Sequence, residues 1–300
     1  MVEQDPITCE IKTHQNHYVK ALKPIPMASV PRAHDNEPAA VYLVGLFMSL
    51  LGAVGWTTGG RTDHCVYVSA LQRHLKAPLN IHVRMLNTLV AYLKSHPTTM
   101  VFRCLRQPLM ITTAADSAYR RDTKDGVQDG LAMKGAIFAL VSKQLDGGPG
   151  GELNLIDWFS RKQRHVTTNT WSSEAFAVTS AADFLMIVGS MFHEVDRGVQ
   201  TSAEVLMKLR EDGGYSLPLS VCTDGMSLLT AVQNVVAKVP TEASTLHHVQ
   251  WLQQLLRRRV LHALYWVDTR DMIADGMTKG SVPRQALRTL QEKGAWRLQH

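Results

Sequence analysis

The sequence predicts an α/β fold: a mixed five-stranded sheet flanked by helices and preceded by a small helical module. Apolar residues between 39 and 96 recur at helical spacing, and from Val101 short runs of strand character replace them. Those runs then alternate with helical stretches in the order βββ-α-β-α-β-α, as expected of a sheet with helical connections. With 300 residues, 45% hydrophobic and 19% charged, the chain has room for about two domains with buried cores.

Residues 1–38 hold five prolines and little apolar periodicity, so a flexible arm is expected there. The helical module follows over 39–100. Ala39 to Trp56 is an uncharged run of eighteen residues, but three glycines, a serine and a tyrosine dilute it. A buried helix is therefore preferred to a membrane span, and no membrane partner is expected. A turn at Gly59–Asp63 leads to a second helix with Val66, Val68, Leu71 and Leu75, which stops before Pro78. The third helix carries Ile81 to Leu93 and ends before Pro97.

In the remainder, 101–300, Leu109–Ala115 reads as a strand that delivers Asp116, and residues 117–130 as a charged, turn-rich connection. Met133–Val141 and Leu153–Ser160 complete a meander across a turn at Gly147–Gly151. Helices are expected over Ser173–Val195, Ser202–Arg210, 226–237 and 245–259. Pro218–Thr223 is a short strand ending at Asp224, Val260–Val267 is the last strand, and a helix after Thr269 carries Asp275. In Leu155–Ala177 a strand with a basic cluster (Arg161, Lys162, Arg164) runs into a helix start, where Ser172 or Ser173 can accept from the free amides. Glu174 then lies in the first turn, where a carboxylate also complements the helix dipole.

The net charge of +6 is unevenly spread: residues 39–108 carry seven Lys/Arg against one Asp, and 109–300 carry 21 against 20. A polyanionic partner is favoured at the helical module. Four scattered cysteines without a C-x-x-C pair point to a reducing, intracellular setting, cytoplasmic or nuclear, and away from a zinc knuckle. The polar, charged N-terminus shows no secretory signal.

Asp116, Glu174 and Asp224 fall where the predicted elements deliver residues to one edge of the sheet, and Asp275 lies in the last helical segment. Four acids brought together repel unless cations hold them, and the hard cation suited to carboxylate oxygens and phosphates is Mg²⁺ or Mn²⁺. Two such ions can promote hydrolysis of a phosphodiester. Taken singly, each acid reads as a surface or capping carboxylate rather than as a ligand.

Several stretches, in order, resemble the C-terminal end of a copia-type retrotransposon Pol polyprotein, from the tail of its reverse transcriptase through its ribonuclease H domain. Tyr42–Leu51 with Arg61-Thr62-Asp63 is similar to that family's Y-x-x-L-x-G-x-L…R-P-D-I segment, and Leu86–Ser95 to its R-V-L-R-Y-L-K-G helix. Ala115–Tyr119 resembles S-D-A-D-W, Ile156–Gln163 resembles I-S-W-x-S-K-K-Q, and Ser172–Ala175 resembles the start of S-T-E-A-E-Y. Cys222–Ser227 resembles C-D-N-Q-S-A, His247–Val249 resembles K-H-I, and Ala274–Lys279 resembles A-D-I-L-T-K.

The resemblance implies an RNase H-like domain that cuts the RNA strand of an RNA–DNA hybrid, leaving a 3′-hydroxyl and a 5′-phosphate. It implies Asp116, Glu174, Asp224 and Asp275 as catalytic, metal-binding acids for two Mg²⁺ or Mn²⁺ ions. It further suggests Arg161, Lys162, Arg164 and His248 as contacts to nucleic acid, and residues 39–100 as a thumb- or connection-like module. The departures are Ala118 for the second acid of S-D-A-D-W, Gly225-Met226 for Asn-Gln, Gln250 for the acid after K-H-I, and Phe176-Ala177 for Glu-Tyr. Tyr265 stands where related enzymes often have histidine, and no Asp-Asp pair of a polymerase centre occurs. A polymerase region would have to be separate or missing. The alternative is a catalytically decayed, nucleic-acid-binding remnant.

Overall fold

The structure, a computed structural model, describes residues 1–119, 132–143, 148–167, 169–198, 201–234 and 242–299. They fall into two units, Met1–Arg103 with Gly280–Lys293, and Cys104–Lys279 with Gly294–His300.

In the first unit the residues expected as a flexible arm are built into the body. Strands β1 (Val2–Gln4) and β2 (Ile11–Thr13) form an antiparallel sheet with β3 (Met100–Phe102), and helix α1 (Asn16–Ala21) follows β2. Val19, Leu22 and Ile25 are buried in the same core as α2 (Val41–Thr57), α3 (Cys65–Gln72) and α4 (Asn80–Ser95). Helix α1 is only six residues long and Pro24 and Pro26 follow it, too short a run for its apolar spacing to stand out in a pattern search. These prolines remove backbone donors that would otherwise need partners. Asn87 closes the account at Ile25, accepting from its N–H and donating to its carbonyl at 2.8 Å each.

The expected three helices are present, and Leu43, Phe47, Leu50, Leu51 and Val54 place one face of α2 in that core. Arg61-Thr62-Asp63 is wholly buried. The Arg61 guanidinium donates twice to Asp63, at 2.9 and 2.7 Å, and Tyr92 donates to the same carboxylate at 2.7 Å. Burial would raise Asp63, but His64 and then Arg61 outweigh it and hold the carboxyl well below the usual carboxylate range. Helix α10 (Gln285–Lys293) belongs to this unit rather than to a domain running unbroken from 101 to 300. Its Gln291 accepts from the Thr62 amide and hydroxyl, both at 2.9 Å.

The second unit is a mixed sheet with the order β8-β7-β4-β5-β6-β9. Its central strand is β4 (Leu109–Ala118), antiparallel to β5 (Met133–Ser142) and parallel to β7 (Leu219–Thr223). Strand β6 (Gly151–Lys162) is antiparallel to β5, and β8 (Ala263–Trp266) is parallel to β7. Five strands in this order and with these senses make the RNase H-like fold. The two-residue β9 (Ala295–Trp296) extends the β6 edge.

Helix α5 (Thr170–Arg197) is long and apolar enough to cross a membrane, yet its Ala175, Val178, Ala182 and Leu185 pack on Ile111, Ala115 and Phe138 of the sheet. Helices α6 (Ala203–Asp212), α7 (Met226–Gln233) and α8 (Leu246–Arg257) complete the α/β order. The expected last turn of α7, at 235–237, lies outside the described residues, as do most of the connection at 117–130 and Gly147 of the β5–β6 turn. A register shift between Phe138 and Ala139 leaves Ile156 without an opposite residue. Leu153 and Leu155 therefore face away from α5, while Phe159 and Arg161 face the α5 side.

Candidate functional site

Asp116 sits near the end of β4, opposite Gly135 on β5, and is 3% exposed. Alternation along β4 turns Ser117 toward α5 and Asp116 toward the opposite face, where the short helix α9 (Asp275–Thr278) packs. The helix expected after Thr269 is broken into a 3-10 turn at Thr269–Asp271, capped by Asp268 accepting from the Arg270 amide at 2.9 Å, and α9, with Met272 in extended backbone between them. This break delivers Asp275 to the sheet. Asp224 follows β7, the parallel neighbour of β4.

Carboxylate oxygens of Asp116, Asp224 and Asp275 lie within 4.8 Å of one another. Glu174 is outside that tight group but borders it, since both Asp224 and Asp116 act on its charge. It also lies against the backbone of Gly225, where an added Cβ would stand 2.5 Å from Glu174 Oε2. Glu174 is one turn deeper in α5 than expected. The N-cap is Asn169, whose Oδ1 accepts from the Ser172 amide at 2.8 Å, rather than Ser172 or Ser173. Both serines are buried, and Ser173 has another task. Its Oγ accepts from Ser117 Oγ at 2.7 Å, and Gln163 Nε2 donates to its carbonyl at 2.8 Å. The helix start is thereby pinned to β4 and to the end of β6.

The remaining partners are polar groups that hold the acids. Thr278 Oγ1 donates to Asp116, and Thr269 Oγ1 donates to Asp224 at 2.9 Å. Lys279 Nζ stands 2.6 Å from Asp275 Oδ1 and 3.6 Å from Asp116 Oδ2. Burial pushes Asp116 up, and the opposing pull of Lys279 and Thr278 does not cancel it. Asp224 is raised by burial and then by Asp116. Burial alone would lower Lys279, but Asp116 and Asp275 outweigh it and hold the ammonium above its ordinary range. Glu174 is pushed up to about 7, first by burial and then by Asp224 and Asp116.

The Glu174 shift has a direct consequence for stability. The folded state holds this proton more tightly than the unfolded chain, whose glutamate titrates near 4.5, so unfolding releases it between pH 4.5 and about 7. Stability of the metal-free protein is expected to fall as pH rises through that window, and Glu174→Gln should flatten the slope. Guanidinium unfolding at a series of pH values checks this, and identical slopes for both proteins would refute it.

The four residues suggested for nucleic acid divide. Arg161 and Arg164 are exposed, and both lower Lys134, which burial already depresses. Arg161 also lies over the Phe159 ring at 5.0 Å. Lys162 closes β6 half-buried. His248 is half-buried in an aromatic cluster, 4.6 Å from the Phe176 ring and 4.1 Å from His247, and burial lowers it to about 4. His165 stacks on Phe176 at 5.0 Å.

Lys279 and Thr278 were visible only as letters of the Ala274–Lys279 stretch. The spacing of four between Asp275, which opens α9, and Lys279, its C-cap, is the signal that marks their pairing. Gly135, Gly225 and Thr269 carry no comparable signal, because their importance is a matter of approach distance.

The three carboxylates offer hard oxygen donors within reach of shared cations, a set that fits Mg²⁺ or Mn²⁺. No protein-family model and no curated protein sequence matches the chain. Solved ribonuclease H structures do match. The N-terminal RNase H domain of a Mycobacterium tuberculosis protein shares 14% identity over 57% of this chain and 91% of its own, with a TM-score of 0.33. An RNase H1 from Halobacterium salinarum shares 13% over 59% and 97%, with a TM-score of 0.30. An RNase H1 isolated from compost, solved in complex with an RNA/DNA hybrid, shares 14% over 57% and 93%, with a TM-score of 0.33.

Proposed function

We propose that the chain is a metal-dependent ribonuclease H of copia-type retrotransposon origin, which cuts the RNA strand of an RNA–DNA hybrid inside the cell. The observation that supports this most is the convergence of Asp116, Asp224 and Asp275 within 4.8 Å at the end of the two central parallel strands. In this reading those three acids and Glu174 hold two Mg²⁺ or Mn²⁺ ions, which when bound supply Lewis-acid stabilisation of charge on the scissile phosphate. Thr278 and Thr269 fix the Asp116 and Asp224 carboxylates by hydrogen bonds. Glu174, pushed up to about 7 without a metal, would give up its proton on taking part in holding an ion. Arg161, Lys162 and Arg164 at the end of β6 position the hybrid backbone through its phosphates. Discrimination of RNA would come from its 2′-hydroxyls across the shallow groove. Residues 39–100 correspond to the thumb- or connection-like module, with the polymerase centre separate or missing.

A second reading is a decayed remnant that binds nucleic acid without turnover. What favours it is the Lys279 ammonium between Asp116 and Asp275, which allows the acids to coexist without a metal. Cleavage of a labelled RNA–DNA hybrid with Mg²⁺ or Mn²⁺ separates the two. Folded wild-type protein that binds the hybrid in a salt-dependent manner but cuts it with neither ion would establish the remnant.

Gly225→Ala tests the placement of Glu174. Gly225 has an ordinary backbone conformation, φ −74°, so alanine is tolerated by the chain and only the carboxylate must move. Hybrid cleavage is expected to drop by up to about a hundredfold with the melting temperature little changed. An unaltered cleavage rate would remove Glu174 from the reaction.

A further inference from the structure

We propose that Lys279 is a resident counter-cation of the acid cluster, whose ammonium competes with divalent ions for the oxygens of Asp116 and Asp275. This rests on the metal-binding reading above and adds to it a control on when the ions bind. The ammonium lies 2.6 Å from one of these acids and 3.6 Å from the other, while the acids' own oxygens lie within 4.8 Å of each other and of Asp224. It therefore occupies space that a cation shared by Asp116 and Asp275 would need.

The placement follows from the helix. Lys279 is four residues beyond Asp275, and its amide donates to the Asp275 carbonyl at 2.9 Å, which keeps the last turn wound and returns the side chain over the cluster. Carboxylates packed this closely repel, and one ammonium offsets part of that repulsion when no metal is bound. Lysine suits the task because its charge is compact and its stem flexible. It can leave by rotating about its own bonds, without moving α9. An arriving ion brings two positive charges to the same oxygens and displaces one.

The test compares wild type, Lys279→Met and Lys279→Arg. Calorimetric titration with Mn²⁺ is expected to show the Met variant binding about tenfold or more tightly than wild type, with the Arg variant close to wild type. The metal-free Met variant should melt below wild type, and saturating Mn²⁺ should close that gap, since ligand binding stabilises each protein according to its affinity. A purely structural ion pair would leave the gap open. A second measurement needs only the wild-type protein: acetylation of Lys279, followed by mass spectrometry, should accelerate when Mg²⁺ or Mn²⁺ is added. Equal Mn²⁺ affinity of wild type and Met variant, or acetylation indifferent to the ions, overturns the proposal while leaving the metal site intact. Absence of Mn²⁺ binding in wild type and Met variant alike brings down the metal reading itself, and the competition with it.

Discussion

Asp116→Asn protein is expected to fold, to bind RNA–DNA hybrid, and to cut it about a thousandfold more slowly than wild type or worse. Asparagine has the shape of aspartate and can still accept from Thr278, so the 3%-exposed position loses its charge without losing its packing. Asp116 is the acid that faces the most partners, being close to Asp224 and Asp275 and paired with Lys279. Its charge is thus the one a shared cation would depend on most. Stabilisation of charge by bound metal amounts to several kcal/mol, and each 1.36 kcal/mol is tenfold in rate, about a thousandfold in all. Removing a carboxylate that burial and Asp275 already strain should leave the melting temperature unchanged or raised. Hybrid cleavage and thermal unfolding, run on the same preparation with Mg²⁺ and with Mn²⁺, decide the matter. Wild-type turnover by the variant would mean that Asp116 holds no reacting metal.

Gly135→Ala is expected to be nearly as damaging, although Gly135 carries no chemistry. It lies on β5 directly opposite Asp116, and its missing side chain is the seat of α9. A Cβ there would lie 2.4 Å from Met277 Cβ, 2.9 Å from Thr278 Cγ2 and 3.1 Å from the Met277 backbone carbon. Backbone cannot swing aside as a long side chain can, so α9 must lift. Overpacking of this kind costs about 1–3 kcal/mol. Lifting α9 also withdraws Thr278 from Asp116 and carries Asp275 away from the cluster, so cleavage should fall by about a hundredfold. Lower denaturant midpoint together with weaker Mn²⁺ binding would support this account. A variant with wild-type stability and rate would show that α9 is not held by this contact.

The helices of the first unit are legible because burial imposes a period on them: Leu43, Phe47, Leu50 and Val54 return every three or four residues. The central strands are legible instead as short, nearly uncharged runs bounded by turns, since β4 is buried on both faces from Met110 to Ser117. The N-terminal segment is not legible for the opposite reason. Val19 and Leu22 are buried from a single short helix, α1, and its C-cap, and Ile25 from the proline-rich stretch after it, where Asn87 takes the place of a regular ladder. Helix boundaries shifted where side chains had two uses: Ser173 could cap α5 but bonds Ser117 and Gln163, and the cap passed to Asn169. The acids lie at element ends, but among the twenty Asp/Glu of residues 109–300 it is the ordered motif resemblance that singles them out. Their supports could not be named, because Gly135 and Gly225 act by the absence of atoms and Thr269 through a fold-dependent contact with Asp224.

The path of the chain between the two units has a practical meaning for anyone dissecting the molecule. The polypeptide enters the second unit at Cys104, leaves it after Lys279, spends Gly280–Lys293 in the first unit and comes back at Gly294 to add β9. Neither unit is a contiguous cassette. A fragment cut at Cys104 retains α10 but loses Thr62, so Gln291 is left with its carbonyl oxygen unanswered. A fragment ending at Arg103 lacks α10 altogether. Excision of either half as a working module would require the intervening fourteen-residue loop-back to be severed and its ends rejoined.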